Sequence, residues 1–332
     1  MPDTTAPKET RSRDRAAADG HSQLRIRAAW LYYVEGMTQS DVAKKLGVNR
    51  ILVTRLLAEA RKRGEVVIRI KSPLTSVVDL QTRLENKYGL KRAVVAPFED
   101  PVGDPTRVIA AAAGAYVTEI MDHNRTVGVG WGRTLHTMLP YIEGRALDNV
   151  RVVSLLGGIA QARRFNPAEF AWQFAELFDA EGYLVSAPAI VDSAQTRHAL
   201  LEHCGLDQIL QMAESCDVAL LSCGGITALT TSYRLGHVSE AERLSMIEGG
   251  AVGDVLYNFI DAEGEPIDHP VNDRAISMSM QRLKRIPNKV LISGGTEKVA
   301  IMRAALKSLQ PSVLITDEAT ATTLLDNDAP AG

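Results

Sequence analysis

From Leu90 onward, short apolar runs alternate with amphipathic stretches of helical period, and this beat restricts the fold more than any other feature. The runs "RAVVAP", "TVGVG", "VRVVSLLG", "GYLVSAPAI", "VALLSC", "DVLYNFI" and "KVLISG" read as strands. Between them "DPTRVIAAAAGAYVTEIM", "PAEFAWQFAELFDA", "SAQTRHALLEHC", "SEAERLSMIEG" and "TEKVAIMRAALKSLQ" read as helices. A chain that keeps passing from strand through helix to strand is an α/β domain with a largely parallel sheet.

Ligands of open parallel sheets lie beyond the carboxyl ends of the strands. Four of those ends carry glycines: "GVGWGRT", "LLGGIAQ", "LLSCGGIT" and "LISGGTEK". Glycine has no Cβ, so backbone N–H groups there can approach a ligand closely. For the stretch from Val127 to Thr134, with Gly130 and Gly132 inside it, two readings are open. One is a tight strand-to-helix turn; the other is a cradle for an anion or a polyhydroxylated ligand. Four such loops at one sheet edge, two of them carrying Arg133 and Lys298, favour the cradle. Thr296 reads as the N-cap of the last helix, with Lys298 in its first turn, where a cation opposes the helix dipole unless an anion partners it.

The first part of the chain has a different character. Residues 1–71 hold fifteen Lys and Arg against eight Asp and Glu, a net of +7, so the whole-chain value of −3 leaves −10 for the rest. A basic head on an acidic body points the head toward a polyanion. Residues 1–20 lack an apolar period and read as a disordered tail. Then Leu24, Ile26, Ala28, Leu31, Tyr32 and Val34 recur at helical spacing, and Gly36 stops the run. Thr38 reads as an N-cap with Asp41 three residues on, Gly47 as a turn, and Asn49 as the cap of "RILVTRLLAEARKRG".

Helix, short turn, longer basic helix is the pattern of a helix-turn-helix over residues 21–71, whose second helix enters the major groove of double-stranded DNA. Asn49, Arg50, Thr54 and Arg55 fall on its early exposed face, while Leu52, Val53, Leu56 and Leu57 turn inward. Arg50 or Arg55 suits guanine, and Asn49 suits adenine or a phosphate. Arg61, Lys62 and Arg63 suit phosphates, and Thr38 and Gln39 at the start of the preceding helix complete the DNA-facing set. "EVVIRIKSP" reads as a wing or connecting strand, and residues 72–89 as a linking helix before a body at 90–332.

Other features carry less. "FNPAEFAWQF" is an aromatic helix capped by Asn166, for which core or subunit packing and a lid over the pocket both remain open. "DAEGEP" is a hairpin turn. Cys204, Cys216 and Cys223 read as reduced, buried thiols of a cytoplasmic protein, and neither they nor the dispersed histidines form a metal pattern. No cofactor and no membrane span are expected.

Taken in order, "GMTQSDVAKKLGVNR", "VGVGWGRTL", "SAPAIVDS", "GAVGDVLYNFIDAEG", "SGGTEKVAIMRAAL" and "VLITDEATATTLL" resemble the SorC family of bacterial sugar-responsive transcriptional regulators. "VVSLLGGI", "RRFNPAEFAWQF" and "HPVNDRAIS" are similar to its erythritol-catabolism repressors. The resemblance implies a C-terminal effector domain related to sugar-phosphate isomerases and deaminases, a homo-oligomer (dimer or tetramer), and effector control of the DNA-binding heads. It implies an effector pocket of Gly130, Gly132, Arg133, Thr134, Gly157, Gly158, Arg234, Asp254, Gly294, Gly295 and Lys298, with no catalytic residue. Arg133, Thr134 and Lys298 would hold an anionic or hydroxylated end, and Asp254 would accept hydroxyl hydrogens from a small polyol or sugar phosphate. The chain departs from many members in "SCGGIT" and in Arg133, which bears on which sugar is bound. The competing function is a sugar-phosphate isomerase or deaminase with a fused head. That chemistry needs an acid–base pair, and these loops supply only Asp254.

Overall fold

The computed structural model describes residues 8–66, 75–98, 100–159, 165–227 and 238–326. The chain divides into two compact units, Met1–Ile70 and Lys71–Gly332. Among the described residues no helix is long and apolar enough to cross a membrane.

The first unit holds α1 (Lys8–Tyr33), α2 (Gln39–Leu46) and α3 (Arg50–Lys62). Thr38 starts α2 as its sequence suggests: its hydroxyl accepts from the Asp41 amide at 3.3 Å and donates to the Asp41 carboxylate at 2.6 Å. Gly47 ends α2 at φ +67°, a left-handed conformation that favours glycine, and the Val48 amide closes back on Ala43 O at 3.0 Å. The Asn49 side chain then accepts the Leu52 amide at 2.8 Å and opens α3. Ala28, Leu31, Val42, Val53, Leu56, Leu57 and Ala60 make one small core among the three helices.

Two features of this unit differ from the sequence reading. The backbone is helical from Lys8, inside the stretch read as a tail. That stretch contains good helix formers such as Arg15, Ala16, Ala17 and Ala18, and extending an existing helix is far easier than nucleating one. Ile26 and Val34, counted in the apolar period of α1, are exposed. The inner face instead takes Arg25, which lies against Glu65 with hydrogen bonds of 2.5 and 2.6 Å. That bond holds the Glu65 carboxyl below its ordinary range.

In the second unit, α4 (Thr75–Tyr88) precedes a parallel seven-stranded sheet. Its strands are β1 (Arg92–Ala96), β2 (Thr126–Val129), β3 (Arg151–Gly158), β4 (Glu181–Pro188), β5 (Val218–Leu221), β9 (Lys289–Ile292) and β10 (Val313–Asp317), in the order β1-β10-β9-β5-β2-β3-β4. Period-two alternation sends successive side chains to opposite faces. Val152, Val218, Leu220, Val290 and Ile292 enter one core, while Val153, Ala219, Leu221 and Leu291 enter the other. The first core takes α5 (Thr106–Ile120), α6 (Arg133–Met138) and α7 (Pro167–Glu176). The second takes α4, α9 (Leu206–Glu214), α13 (Val299–Leu309) and α14 (Glu318–Leu325). The helix read as a linker also covers the edge strand β1. The Ala93 amide donates to Glu85 at 2.8 Å and the Val95 amide to Gln81 at 3.1 Å, so the open side of β1 is satisfied by α4.

Shorter helices among the described residues include α8 (Ala194–His203), α10 (Glu240–Glu248), which opens with a capping box at Ser239, and α12 (Met280–Arg285). A small α11 (Pro270–Arg274) precedes the last of these.

Three segments differ from the sequence reading. "DVLYNFI" is a hairpin and not one strand: β7 (Gly253–Val255) and β8 (Asn258–Ile260) pair antiparallel, and β6 (Gly224–Gly225) joins β7. Leu256 and Tyr257 make the turn with φ of +54° and +60°, a backbone usually left to Asn and Gly. Cys204 is exposed, and only Cys216 and Cys223 are buried. β10, within "VLITDEATATTLL", adds a strand beyond the seven apolar runs of the sequence reading.

Phe174, wholly buried between Phe170 and Phe178, and Trp172, 55% exposed on the same helix, separate packing from surface. Phe174→Ala is expected to lower the unfolding free energy by about 3–5 kcal/mol, and Trp172→Ala to change it by less than about 0.5 kcal/mol. Urea unfolding of the full chain measures both; similar losses would contradict the core assignment.

Candidate functional sites

The exposed early face of α3 carries Arg50, Ile51, Thr54 and Arg55. Neither Arg50 nor Arg55 makes a side-chain hydrogen bond or ion pair among the described residues, so both guanidinium groups are free for an external acceptor. Thr54 is tied down: its hydroxyl lies 3.0 Å from Gln39 Oε1 and 3.1 Å from Arg50 O. Gln39 and Thr54 therefore act as one unit across the two helices. Asn49 spends its Oδ1 on the helix cap and keeps its amide NH₂. Thr38 is likewise engaged as a cap, and Arg61 stands exposed in the last turn of α3.

At the carboxyl edge of the large sheet, the loop after β2 places Gly132 at φ +132°, then exposed Arg133 and buried Thr134 at the start of α6. Arg133 forks onto Asp104 at 3.0 and 3.3 Å. Burial pushes the Asp104 carboxyl up, but hydrogen bonds from the Thr106 hydroxyl and amide and the charges of Arg133 and Lys298 outweigh it and hold it below its ordinary range. The Thr134 hydroxyl makes no hydrogen bond among the described residues.

Asp254 reaches the same edge from β7. Its Oδ2 accepts the Tyr257 amide at 2.9 Å across the hairpin, and the carboxyl is buried. Burial raises it to about 7, against the pull of the Tyr257 amide and the Lys298 charge. Tyr257 stacks on Trp131 with ring centres 5.0 Å apart and planes 18° apart. Lys298 has no hydrogen-bonded partner for its ammonium among the described residues. Its charge is nonetheless felt by Asp104, Asp254 and Cys223, so it lies amid all three. Burial raises the Cys223 thiol to about 11, and its Sγ lies 3.2 Å from Ser293 Oγ.

The structure thus groups Gly132, Arg133, Lys298 and Asp254 with Asp104, which the sequence reading places only at the head of the helix "DPTRVIAAAAGAYVTEIM". Several expected glycines do not offer open backbone. A Cβ on Gly157 would meet Ala187 O at 2.5 Å, one on Gly130 would meet Leu220 O at 3.0 Å, and one on Gly294 would strike Asp317. Gly224 lies in β6 against Asp254. The Gly295 amide is already bound to Thr320 at 2.8 Å and Asp317 at 3.1 Å. Gly158 is only partly buried and sits near the Asn166 cap of α7. Thr296 does not cap α13, the helix that follows it: it lies in a 3-10 turn, its hydroxyl donates to Pro101 O at 2.9 Å, and Lys298 itself takes the cap position. Arg234 lies outside the described residues.

Residues 72–326 match the family model described as "Putative sugar-binding domain". The erythritol catabolism regulatory protein of Brucella abortus is 34% identical over 317 residues, covering 93% of this chain and 98% of that protein. The chain belongs to the SorC/DeoR family of sugar-binding transcriptional regulators. The deoxyribonucleoside regulator of Bacillus subtilis is 32% identical over 308 residues, covering 92% of this chain and 98% of its own. The full-length sorbitol operon regulator of Klebsiella pneumoniae superposes with a TM-score of 0.68 at 25% identity, over 93% of this chain and 100% of that one. Near-equal identity to regulators named for different sugars places the chain in the family and in no single branch of it. Membership makes the chain a regulator and not the isomerase or deaminase that its fold alone would allow.

The buried Asp254 sets a pH signature. With a carboxyl at about 7 when folded and about 3.9 when unfolded, the native state holds the extra proton between these values. Stability therefore falls as pH rises from about 4 to about 7 and levels off above. Asp254→Asn is expected to remove this slope, stabilising the chain at pH 8 by on the order of a few kcal/mol and leaving it unchanged near pH 4. Unfolding at several pH values measures it; an unchanged slope would refute it.

Proposed function

We propose that the first unit reads operator DNA through the early face of α3 and that the second binds a small sugar-like effector at the carboxyl edge of its sheet. The observation that carries the DNA reading is the pair of guanidinium groups, Arg50 and Arg55, unpartnered among the described residues, on the exposed start of a helix preceded by a capped turn. That is where a recognition helix presents its base-reading residues. Arg61 supplies phosphate contact, and a homo-oligomer presents paired heads to a two-fold operator.

For the effector, the electrostatics of the edge favour an anionic end. Arg133 is balanced by Asp104, Asp254 with its carboxyl at about 7 carries only part of a negative charge near neutrality, and the Lys298 ammonium has no hydrogen-bonded partner among the described residues. A phosphorylated four- or five-carbon polyol or sugar, erythritol phosphate among them, meets that surplus cation and offers hydroxyls to Asp254 and Thr134. A protonated Asp254 donates to a ligand hydroxyl as well as accepting from one. Names of the relatives support this size class: one is a regulator of erythritol catabolism and another a deoxyribonucleoside regulator. The chain is then a repressor released when effector binds one state more tightly than the other.

Mobility shifts on duplexes selected from the chain's own upstream region test the head. Arg55→Ala is expected to lower selective affinity by about tenfold or more, and Arg61→Ala to weaken all sequences while lowering the salt slope by about one. A thermal-shift panel of polyols and their phosphates tests the body: phosphates are expected to raise the midpoint of the parent chain and to lose that effect in Lys298→Ala. Free polyols shifting it as strongly as their phosphates would overturn the anionic reading.

A further inference from the structure

Ile51 is the most exposed large apolar side chain in the first unit among the described residues, at 75%. It sits one residue into α3, directly after Arg50 and one turn before Arg55. Helical spacing puts positions 51 and 55 on the same face, and positions 53, 56, 57 and 60 of the same helix are the ones that pack inward. The small core therefore makes no use of Ile51, and no packing argument accounts for a β-branched apolar residue there. Isoleucine is also not a favoured helix former, so local propensity does not account for it either.

We infer that Ile51 reads a thymine in the operator by packing against its 5-methyl group. This rests on the reading of α3 as the groove-entering helix. The occupant follows from the surroundings: an isolated apolar side chain flanked by two free guanidinium groups fits a surface that is polyanionic and yet carries methyl groups, as the major groove of A·T-containing DNA does. In that groove the thymine methyl is the apolar feature, and aliphatic side chains are its natural contact. A protein partner offering acidic groups to Arg50 and Arg55 would satisfy the charges, but it would not respond to the removal of one methyl group from DNA.

The division of labour along the helix follows. Arg50 and Arg55 make hydrogen bonds that select guanine, the Gln39–Thr54 pair presents a fixed polar surface between the helices, and Ile51 selects thymine over cytosine by contact alone. Burying one methyl group against another apolar surface is worth about fourfold in affinity.

The test uses the full-length chain. A preferred duplex is obtained by selection from random sequences, and each thymine in it is then replaced singly by deoxyuridine, which removes only the 5-methyl group. The expected result is one thymine position per half-site at which the parent chain loses about fourfold in affinity, whereas Ile51→Ala loses nothing further on the same substitution. Ile51→Val, which keeps the branched methyls, is expected to retain part of the sensitivity. Since the side chain is exposed, all three proteins should melt at the same temperature. Selective binding with no deoxyuridine-sensitive position, or sensitivity retained in Ile51→Ala, overturns the Ile51 assignment and leaves the helix as the reader. Failure to select any duplex over random DNA overturns the assignment together with the reading beneath it.

Discussion

Seven strands running the same way impose one condition on everything else in the larger unit: all their carboxyl ends face one edge, and the chain must return from that edge through a crossover each time. Arg133 follows β2, Gly158 ends β3, Ser222 follows β5 and Gly294 follows β9, so residues far apart in sequence converge without any special contact to bring them there. The antiparallel hairpin then adds what the parallel strands do not supply. It starts from β6, only two residues beyond β5, and its Gly224–Asp254 pairing carries a carboxyl into the same region.

That hairpin is held at a cost. Leu256 and Tyr257 both occupy left-handed backbone, which is unfavourable for residues with large side chains by roughly 1 kcal/mol or more each. Asp254 is kept from water at the same place. What offsets these costs is visible locally: the Asp254 carboxylate accepts the turn amide, Asn258 donates to Val255 O and Met278 O, and Tyr257 is wholly buried against Trp131. Backbone strain beside a buried acid is a pairing that concentrates at ligand sites.

How much of this was legible depended on whether the signal was local. Thr38, Gly47 and Asn49 each perform a task that depends on one or two neighbours, so their types and spacing announced the turn of the first unit. Continuous apolar runs likewise announced the parallel strands. The "DVLYNFI" hairpin was illegible because its turn residues are held by tertiary burial rather than by turn chemistry. Glycine was the most ambiguous letter. At Gly132 it permits a positive φ with Ser222 at an ordinary 3.9 Å, whereas at Gly157 and Gly294 it makes room for another part of the protein, and sequence does not distinguish these uses. Asp104 was missed for a related reason, since its importance lies in facing Arg133, twenty-nine residues away.

The charge division seen in the sequence acquires a local meaning at each unit. On α3 the cations Arg50 and Arg55 stand exposed with no carboxylate bonded to them among the described residues, which leaves them available to an external polyanion. At the sheet edge the opposite holds: the body is acidic overall, yet the groups at the rim are arranged so that one carboxylate is spent on Arg133 and the other, raised to about 7, is only partly charged near neutrality. An acidic body repels bulk polyanions by the field of the whole, while a cation at its rim attracts a small anion at short range, where the nearest charges dominate. Any influence of the effector on DNA affinity must then come from its unequal affinity for two states of the protein, and it is bounded by that difference.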